Sequence, residues 1–426
     1  DRDSVRTGAA DQTGLRLSEG ETDRVNNDTD PFDMLRGQDR RGQSVRRRSR
    51  PEYEARGAEL GGFNVYPYAE IRAEYDSNVL AQQDGQGDMA GDLGAGVALR
   101  SDWQRHGLIF AASVNQREYA DLTSESGTEY DARLDGTLDV TRDVVIAASA
   151  LHEHRLVDRG AVGETLDTRA PVRLNRTAVS AATQTTRGRV FAKLTGRYEK
   201  FDYEDAVTPT GVVSNQQFRD ADRFEVKGEA GTRVGAGGYA FVAASFAPRR
   251  ARLDSTPRRD VDETQFLVGW RSEISPLVVG HIALGYLQGN FKDPSQDTRR
   301  AFAFSADVDY FATPLTTLSF SAERSLSGIS SVTSPSALVS SFGVRADHEL
   351  LRNVIISATG NLETANYVAS PAKATRTGAA FSAEWLINPS FTLNARMGVS
   401  GRAAENFDAD RDFSRFESSV SLKLTL

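Results

Sequence analysis

Histidines are the first residues to consider as ligands, because the sequence contains five of them and no cysteine. His152 and His154 stand two positions apart, which places both on the same face of an extended strand. A zinc site needs at least three protein ligands, and no third ligand stands at a matching spacing. No arrangement of serine, histidine and acid indicates a hydrolase. We therefore predict no metal site, no cofactor and no enzymatic activity.

Charged residues carry a stronger signal, because they recur at every second position over long stretches. Between residues 130 and 140, Asp131, Arg133 and Asp135 alternate with apolar residues such as Leu134. A helix would spread these charges over all its sides, whereas a strand gathers them on one face. The residues that we predict to line a polar interior in this way are Glu70, Arg72, Asp131, Arg133, Asp135, Lys193, Arg197, Arg223, Glu225, Lys227, Glu229, Arg345 and Arg396.

This polar interior has two explanations. It could be a water-filled channel that selects solutes, or a solvated wall whose charges only neutralise one another, as any wide barrel needs. Acidic and basic residues are mixed on the inward faces of the predicted strands. A channel that selects strongly for cations or anions would instead have rings of charges of one sign. The sequence leaves both explanations open.

A basic run stands apart from the alternating pattern. Arg46, Arg47, Arg48 and Arg50 lie within residues 1–60, which have almost no apolar periodicity. Such a segment cannot bury enough apolar surface to offset its ordering entropy, so we predict disorder over residues 1–60. The guanidinium groups suit anionic partners such as a glycan, lipid phosphates or an acidic lumen. The alternative is a solvated linker without a partner.

The elements that position the alternating charges are strands. About eighteen segments alternate with period two, and most are as long as the roughly ten residues that a tilted strand needs to cross a bilayer. Strands of soluble sandwiches have about five or six residues, so the lengths favour a transmembrane barrel. The segments lie near residues 63–75, 89–101, 107–119, 129–141, 144–155, 171–186, 189–201, 219–234, 238–247, 262–274, 278–290, 300–311, 316–325, 337–349, 353–364, 376–386, 391–402 and 413–426.

The connections between these segments alternate between short and long. Tight turns such as residues 187–188 alternate with polar loops such as residues 156–170 and 202–218. Outer-membrane barrels have this asymmetry, with short turns in the periplasm and longer loops outside. We therefore predict an all-β fold: a transmembrane antiparallel up-and-down β-barrel of about eighteen strands over residues 61–426, preceded by a disordered periplasmic segment over residues 1–60.

The even number of strands determines on which side of the membrane the basic run lies. With an even number of strands, the first strand begins and the last strand ends on the periplasmic side. The arginine-rich segment would then hang below the barrel or enter it. We consider three roles for it: a flexible plug, a tail that binds a partner, and a simple spacer.

Composition argues against two other classes of protein. The formal net charge of −8 gives no reason to expect nucleic-acid binding. No run of about 18 apolar residues is present, so no transmembrane helix is predicted. Hydrophobic residues make up only 39% of the chain, yet this does not exclude a membrane protein. In a barrel only every second strand residue faces lipid, so the average hydropathy stays low.

Three short motifs resemble a known family. One strand ends in Tyr-Asp-Ser-Asn-Val at residues 75–79, a second ends in Ser-Asp-Trp at residues 101–103, and Leu-Asp-Val-Thr-Arg-Asp follows at residues 138–143. With these motifs the sequence resembles the outer-membrane β-barrel porins of α-proteobacteria over roughly residues 60–426. Barrels of this group are often linked to exopolysaccharide or adhesin loci, so the resemblance implies glycan export as an alternative role.

On this basis we expect a porin-like channel for hydrophilic solutes in the outer membrane. Two alternatives remain: an outer-membrane component of exopolysaccharide export, and a structural or adhesion barrel that conducts nothing. The expected partners are outer-membrane lipid and lipopolysaccharide, with periplasmic polysaccharide-export proteins added in the export role. Conductance in planar bilayers separates a channel from a structural barrel.

Overall fold

The computed structural model describes residues 44–164, 167–235, 237–253, 258–275, 277–329, 334–407 and 412–426. Residues 1–43, which make up most of the predicted disordered segment, lie outside this set. Among the described residues, no helix is long and apolar enough to cross a membrane.

In the described part of the chain, eighteen strands of 13 to 16 residues form one sheet. We number them in chain order: β1 Phe63–Asp76, β2 Asp88–Ser101, β3 Gly107–Tyr119, β4 Gly127–Asp139, β5 Val144–Leu156, β6 Arg173–Arg187, β7 Val190–Tyr203, β8 Ala221–Val234, β9 Gly238–Ala251, β10 Val261–Ser275, β11 Val278–Phe291, β12 Arg299–Thr313, β13 Thr316–Gly328, β14 Ser336–Leu351, β15 Val354–Tyr367, β16 Lys373–Leu386, β17 Phe391–Glu405 and β18 Phe413–Thr425.

The sheet closes on itself. Each strand pairs antiparallel with the next strand along the chain, and β1 pairs with β18 from Tyr68 opposite Thr425 to Asp76 opposite Glu417. This closure leaves no sheet edge, so every strand has a partner on both sides. The predicted antiparallel up-and-down barrel of eighteen strands is confirmed.

Alternation along each strand separates a lipid face from an inner face. In β4, Leu134 is 42% exposed on the outside, whereas its neighbour Asp135 is 4% exposed on the inside. A soluble protein rarely exposes apolar side chains so extensively, but a bilayer accepts them. Thirteen residues that rise about 3.3 Å each and tilt by about 40° span roughly 33 Å, close to the thickness of the hydrocarbon core.

The two ends of the barrel differ in the length of their connections. At the short-turn end, where β1 begins and β18 ends, the connections have two to five residues. Gly188 lies in the two-residue turn between β6 and β7 with φ of +61°, a conformation that favours glycine. At the long-loop end the connections have five to seventeen residues.

Several connections at the long-loop end are shorter than predicted, because their strands continue. β9 reaches Ala251, four residues beyond its predicted end, and Ala251 still pairs with Ala221 of β8. Backbone hydrogen bonding continues past the last lipid-facing residue, so hydropathy does not mark where a strand ends.

Part of the inner face is apolar, which the sequence pattern did not predict. Phe191, Phe241, Leu267 and Leu287 belong to one buried cluster contributed by β7, β9, β10 and β11. They occupy inward positions, since the adjacent residues on each strand are exposed apolar side chains. The sequence does contain this information, because these apolar residues stand at alternate strand positions that we had predicted to be polar and inward-facing. The inner wall is therefore mixed rather than uniformly charged.

Candidate functional site

The thirteen residues predicted to line the interior all lie on strand positions that alternate with the exposed apolar ones. Most of them form ion pairs with one another or with a neighbour. Arg133 and Asp135, for example, join at 2.7 Å. The other pairs are Arg72–Glu70 at 3.2 Å, Arg197–Glu199 at 3.0 Å, Arg223–Glu225 at 3.0 Å, Lys227–Glu229 at 3.7 Å and Arg345–Asp347 at 3.1 Å.

The remaining three residues of that set have other surroundings. Asp131 accepts a hydrogen bond from Ser113. Lys193 is buried, and Arg396 stands in register between Ser382 of β16 and Ser419 of β18. The wall is therefore polar along most strands, and most of its charges are compensated within it.

Glu199 is a carboxylate of this wall with three basic partners, and the sequence prediction did not include it. It pairs with Arg176, Arg197 and Arg223 at 2.5, 3.0 and 3.1 Å. Its position two residues after Arg197 puts it on the same inward face of β7. The spacing could have indicated the residue, but its three partners come from three strands and depend on the cross-strand register.

At the long-loop end, residues 157–164 and 167–172 of the connection between β5 and β6 form the crossing loop. Its backbone and side chains contact β15 to β18, which lie six to nine strands around the ring from β6. Tyr367 at the end of β15 donates a hydrogen bond to the carbonyl oxygen of Val162. Arg402 of β17 donates to the carbonyl oxygen of Ala161 at 3.2 Å. The loop therefore spans the mouth instead of projecting away from it.

Asp158 anchors the crossing loop electrostatically. Its carboxylate lies 2.7 Å from a guanidinium nitrogen of Arg376 and 3.6 Å from one of Arg415. Burial raises the pKa of Asp158, but Arg376, Arg415 and the backbone N–H of Gly160 outweigh burial and lower this pKa well below its usual range. The carboxylate therefore stays charged and paired over the whole physiological range of pH.

Apolar and further ionic contacts complete the anchoring. Val162 packs in a buried cluster with Ile329, Tyr367 and neighbouring alanines. Arg159 pairs with Glu125 at 2.6 Å on the near side of the mouth, and Glu164 pairs with Arg219 at 3.0 Å. With contacts on both sides of the ring, the crossing loop narrows the opening at this end.

We expect Asp158→Asn to loosen the crossing loop, because it leaves Arg376 and Arg415 without their shared carboxylate. Loss of one partner from a fully buried pair costs about 3–5 kcal/mol. Since the Asp158 side chain keeps 21% exposure, a cost of about 2 kcal/mol to the docking of the loop is more realistic. Trypsin cleavage after Arg159 should become faster in the variant.

The matched control is Asp167→Asn, on an exposed residue of the same loop. The wild-type loop should also stay docked at pH 4. Docking lowers the pKa of Asp158. Its carboxylate therefore stabilises the docked loop fully above the ordinary aspartate pKa of about 3.9. This stabilisation is lost only when the pH falls through the lower pKa of the docked state. Equal cleavage rates of both variants would contradict the role of Asp158.

At the short-turn end, residues 44–50 form a docked basic segment. Its residues Val45–Arg47 make one 3-10 turn, and Val45 is completely buried. The backbone N–H of Val45 donates to the hydroxyl of Thr317 on β13 at 3.0 Å. The prediction of disorder over residues 1–60 is therefore wrong for residues 44–60, which the structure places against the barrel.

Three carboxylates of the inner wall receive the arginines of this segment. Arg46 pairs with Asp347 at 2.8 Å and with Glu384 at 3.1 Å, and its third contact is a 2.8 Å hydrogen bond to Ser357. Arg50 pairs with Glu349 at 2.9 Å, and Arg48 lies 3.6 Å from the same carboxylate. We call Asp347, Glu349 and Glu384 the acidic patch. Arg47 is exposed.

The path from the docked basic segment to β1 is also ordered. Residues Ala58–Leu60 form a short antiparallel strand with residues 63–65 at the start of β1. The segment thus runs from β1 to the wall formed by β13 to β16, and it occupies part of the opening at the short-turn end. Its arginines neutralise the three carboxylates of the acidic patch. From the sequence, an acidic lumen was one of several anionic partners predicted for this basic run.

The two histidines considered as metal ligands lie on the outer face. His152 contacts the hydroxyl of Thr177 at 2.9 Å, and His154 contacts the side-chain oxygen of Asn175 at 2.8 Å. Tyr130 stacks on His154 with ring centroids 5.0 Å apart. Within the described residues, no group of three histidine, aspartate or glutamate side chains is arranged to hold a metal ion.

A closed antiparallel barrel with a lipid-facing apolar surface and a charged inner wall defines an outer-membrane β-barrel. The chain belongs to the family described as "Putative beta-barrel porin 2", whose model matches residues 50–426. It is therefore a porin-type barrel of the outer membrane. No curated protein matches the chain.

Solved outer-membrane proteins are similar in structure at low sequence identity. The outer membrane protein OpdK of Pseudomonas aeruginosa is 11% identical over 85% of this chain and 99% of its own, with a TM-score of 0.42. OccAB4 of Acinetobacter baumannii is 9% identical over 85% and 98%, with a TM-score of 0.43. A mutant ferric enterobactin receptor of Pseudomonas aeruginosa is 7% identical over 88% and 82%, with a TM-score of 0.44.

Proposed function

We propose that this porin-type barrel is a narrow channel for small hydrophilic solutes, restricted by the crossing loop at one end and by the docked basic segment at the other. The observation that supports this most directly is the inner wall, where charged side chains follow one another from strand to strand. An eighteen-stranded barrel is wide enough to leave an aqueous passage unless internal segments fill it. The two internal segments would then set the size limit.

The charge pattern of the wall bears on selectivity. Glu199, Glu229 and Asp347 each share their charge with two or more basic side chains, so acidic and basic groups balance locally. Local balance lowers the barrier to hydrophilic solutes without favouring one sign of ion along the whole wall. We propose a channel function without catalysis, since most of the charged groups of the wall are engaged in ion pairs.

Planar-bilayer recording of the purified barrel tests the proposal. We expect discrete conductance steps, together with swelling of liposomes in small sugars but not in large oligosaccharides. Folded barrel that conducts nothing, even after removal of residues 1–58, would instead favour the structural or adhesion role. Loss of polysaccharide secretion in a deletion strain would favour export with periplasmic partners.

A further inference from the structure

The pairing between β12 and β13 covers only part of their length. It runs from the tight turn to Ser305, which stands opposite Glu323. Beyond this point residues 299–304 of β12 pair only with β11, and residues 324–328 of β13 pair only with β14. Backbone groups on this side of β12 therefore need partners other than a neighbouring strand. We call this stretch at the long-loop end the β12–β13 split.

Arg324 of β13 supplies one such partner. Its guanidinium donates hydrogen bonds to the carbonyl oxygen of Phe302 at 3.2 Å and to the hydroxyl of Ser340 at 2.7 Å. It also lies 4.9 Å from the ring centroid of Phe304, and this ring stacks on Phe342 with centroids 5.3 Å apart. Since Phe302 and Phe342 are exposed on the lipid face, Arg324 lies on the outer side of the β12–β13 split.

Arg300 brings a second cation to the same outer surface. It is exposed and stands two positions from Phe302 on β12, so both side chains share one face of the strand. Two strand residues span about 7 Å, which places Arg300 and Arg324 on either side of Phe302. Among the described residues, no carboxylate lies within ion-pair distance of either guanidinium. The outer side of the split therefore carries two cations without an acidic partner.

The position of these cations relative to the membrane identifies the partner. The long-loop end of an outer-membrane barrel faces the outside. Phe302 is 56% exposed, and aromatic side chains at strand ends lie where the hydrocarbon core meets the lipid headgroups. Arg300 stands one step further toward the long loops than Phe302. Its guanidinium therefore lies at the level of the headgroups of the outer leaflet, where lipid phosphates lie.

We propose that the outer side of the β12–β13 split binds the phosphate of an anionic lipid of the outer leaflet. Arg300 and Arg324 contact the phosphate, and the acyl chain lies along Phe302, Phe304 and Phe342. Guanidinium groups recognise phosphate oxygens through paired, charge-assisted hydrogen bonds. The site is an open surface that a lipid reaches sideways from the membrane, so it needs no cavity. Binding here does not depend on conduction and is independent of the proposed channel.

Native mass spectrometry of the purified, detergent-solubilised barrel tests this inference, because it counts the lipids bound to each molecule. The probes are lipid A, which carries exposed phosphates, and phosphatidylcholine, whose phosphate is balanced by its own choline. Inorganic phosphate serves as a competitor without an acyl chain. We expect one lipid A to bind at least about ten-fold more tightly than phosphatidylcholine, and equimolar inorganic phosphate to leave it bound.

Substitutions of the two arginines assign the binding to the site. Arg300→Gln should weaken lipid A binding about five-fold, the usual effect of one cation near an anionic membrane surface. The double variant with Arg324→Gln should weaken it by at least about ten-fold. Arg324 also bonds Phe302 and Ser340, so Arg324→Lys separates charge from structure. We expect Arg324→Lys to bind more tightly than Arg324→Gln, because the lysine keeps the cation.

The matched control is Arg250→Gln, which makes the same change of charge on β9 at the same end of the barrel. Arg250 and Lys292 share the carboxylate of Asp262, so this cation is already neutralised. Affinity for lipid A should stay within about two-fold of the wild type there. Circular dichroism must show the same β-sheet content in all variants.

Four outcomes would overturn this inference. Phosphatidylcholine binding as tightly as lipid A would remove the role of the cations. Displacement of lipid A by equimolar inorganic phosphate would remove the role of the aromatic surface. An unchanged affinity in the double variant of Arg300 and Arg324 would place the lipid elsewhere, and equal weakening by Arg250→Gln would reduce the effect to the overall charge of the rim.

Discussion

Deleting residues 1–58 is expected to raise the single-channel conductance in about 0.1 M salt while leaving the barrel folded. Folding should survive because β1 begins at Phe63 and closes the ring through its pairing with β18. Conductance should rise because the docked basic segment no longer occupies the opening at the short-turn end. The measurement is a comparison of wild-type and truncated barrels in planar bilayers.

Single substitutions isolate the docking contact from the rest of the deleted segment. Arg46→Glu would place a carboxylate beside Asp347 and Glu384, so attraction becomes repulsion. Each charge-assisted hydrogen bond is worth about 1.5–3 kcal/mol, so the ratio of docked to undocked segment should fall by at least about ten-fold. Arg47→Glu is the matched control, with the same change of charge on an exposed neighbour.

Salt provides an independent check of the mechanism. The Debye length falls from about 10 Å at 0.1 M to about 3 Å at 1 M, so the docking attraction weakens and the difference between wild type and Arg46→Glu should shrink. If the truncated barrel, Arg46→Glu and wild type all conduct equally at low salt, the docked basic segment does not restrict the channel and serves as a spacer or a partner-binding tail.

Leu134→Arg should destabilise the barrel by about 2–4 kcal/mol, the cost of an arginine on the lipid face near the bilayer midplane. Leu134 lies in the middle of β4 and is exposed to the outside. A guanidinium there loses its hydration, and its cross-strand neighbours on the lipid face are Phe110 and Ala150. Reversible unfolding of the barrel in lipid vesicles measures the difference in free energy.

The same new side chain on the inner face is the control. Ser149 of β5 stands in register with Asp135 of β4, on the inner side of the wall. Ser149→Arg should cost less than about 1 kcal/mol, because the new cation meets water and a carboxylate. Asp135 itself is a poor control, since it pairs with Arg133. Comparable costs for Leu134→Arg and Ser149→Arg would contradict the assignment of the two faces.

The amino-acid sequence was sufficient for the barrel itself. The alternation around Leu134 and Asp135 indicates which side chain faces lipid and which faces the interior. Each strand shows this alternation by itself, so no contact with another strand is needed to recognise it. Short turns such as the one at Gly188 mark one end of each hairpin through their local backbone requirements. Strand number and antiparallel order followed from these two local signals, because sequential hairpins pair with their neighbours.

The interior was decided by the tertiary structure. Arg46 and Asp347 are 301 positions apart, and Asp158 and Arg376 are 218 apart. Neither pair can be inferred from spacing, because each depends on which strands closure of the ring brings opposite one another. The same holds for Arg249 of β9, whose guanidinium lies beside Gly328 at the end of β13. Local alternation determines which face a residue occupies, and only the closed ring determines which residue it meets there.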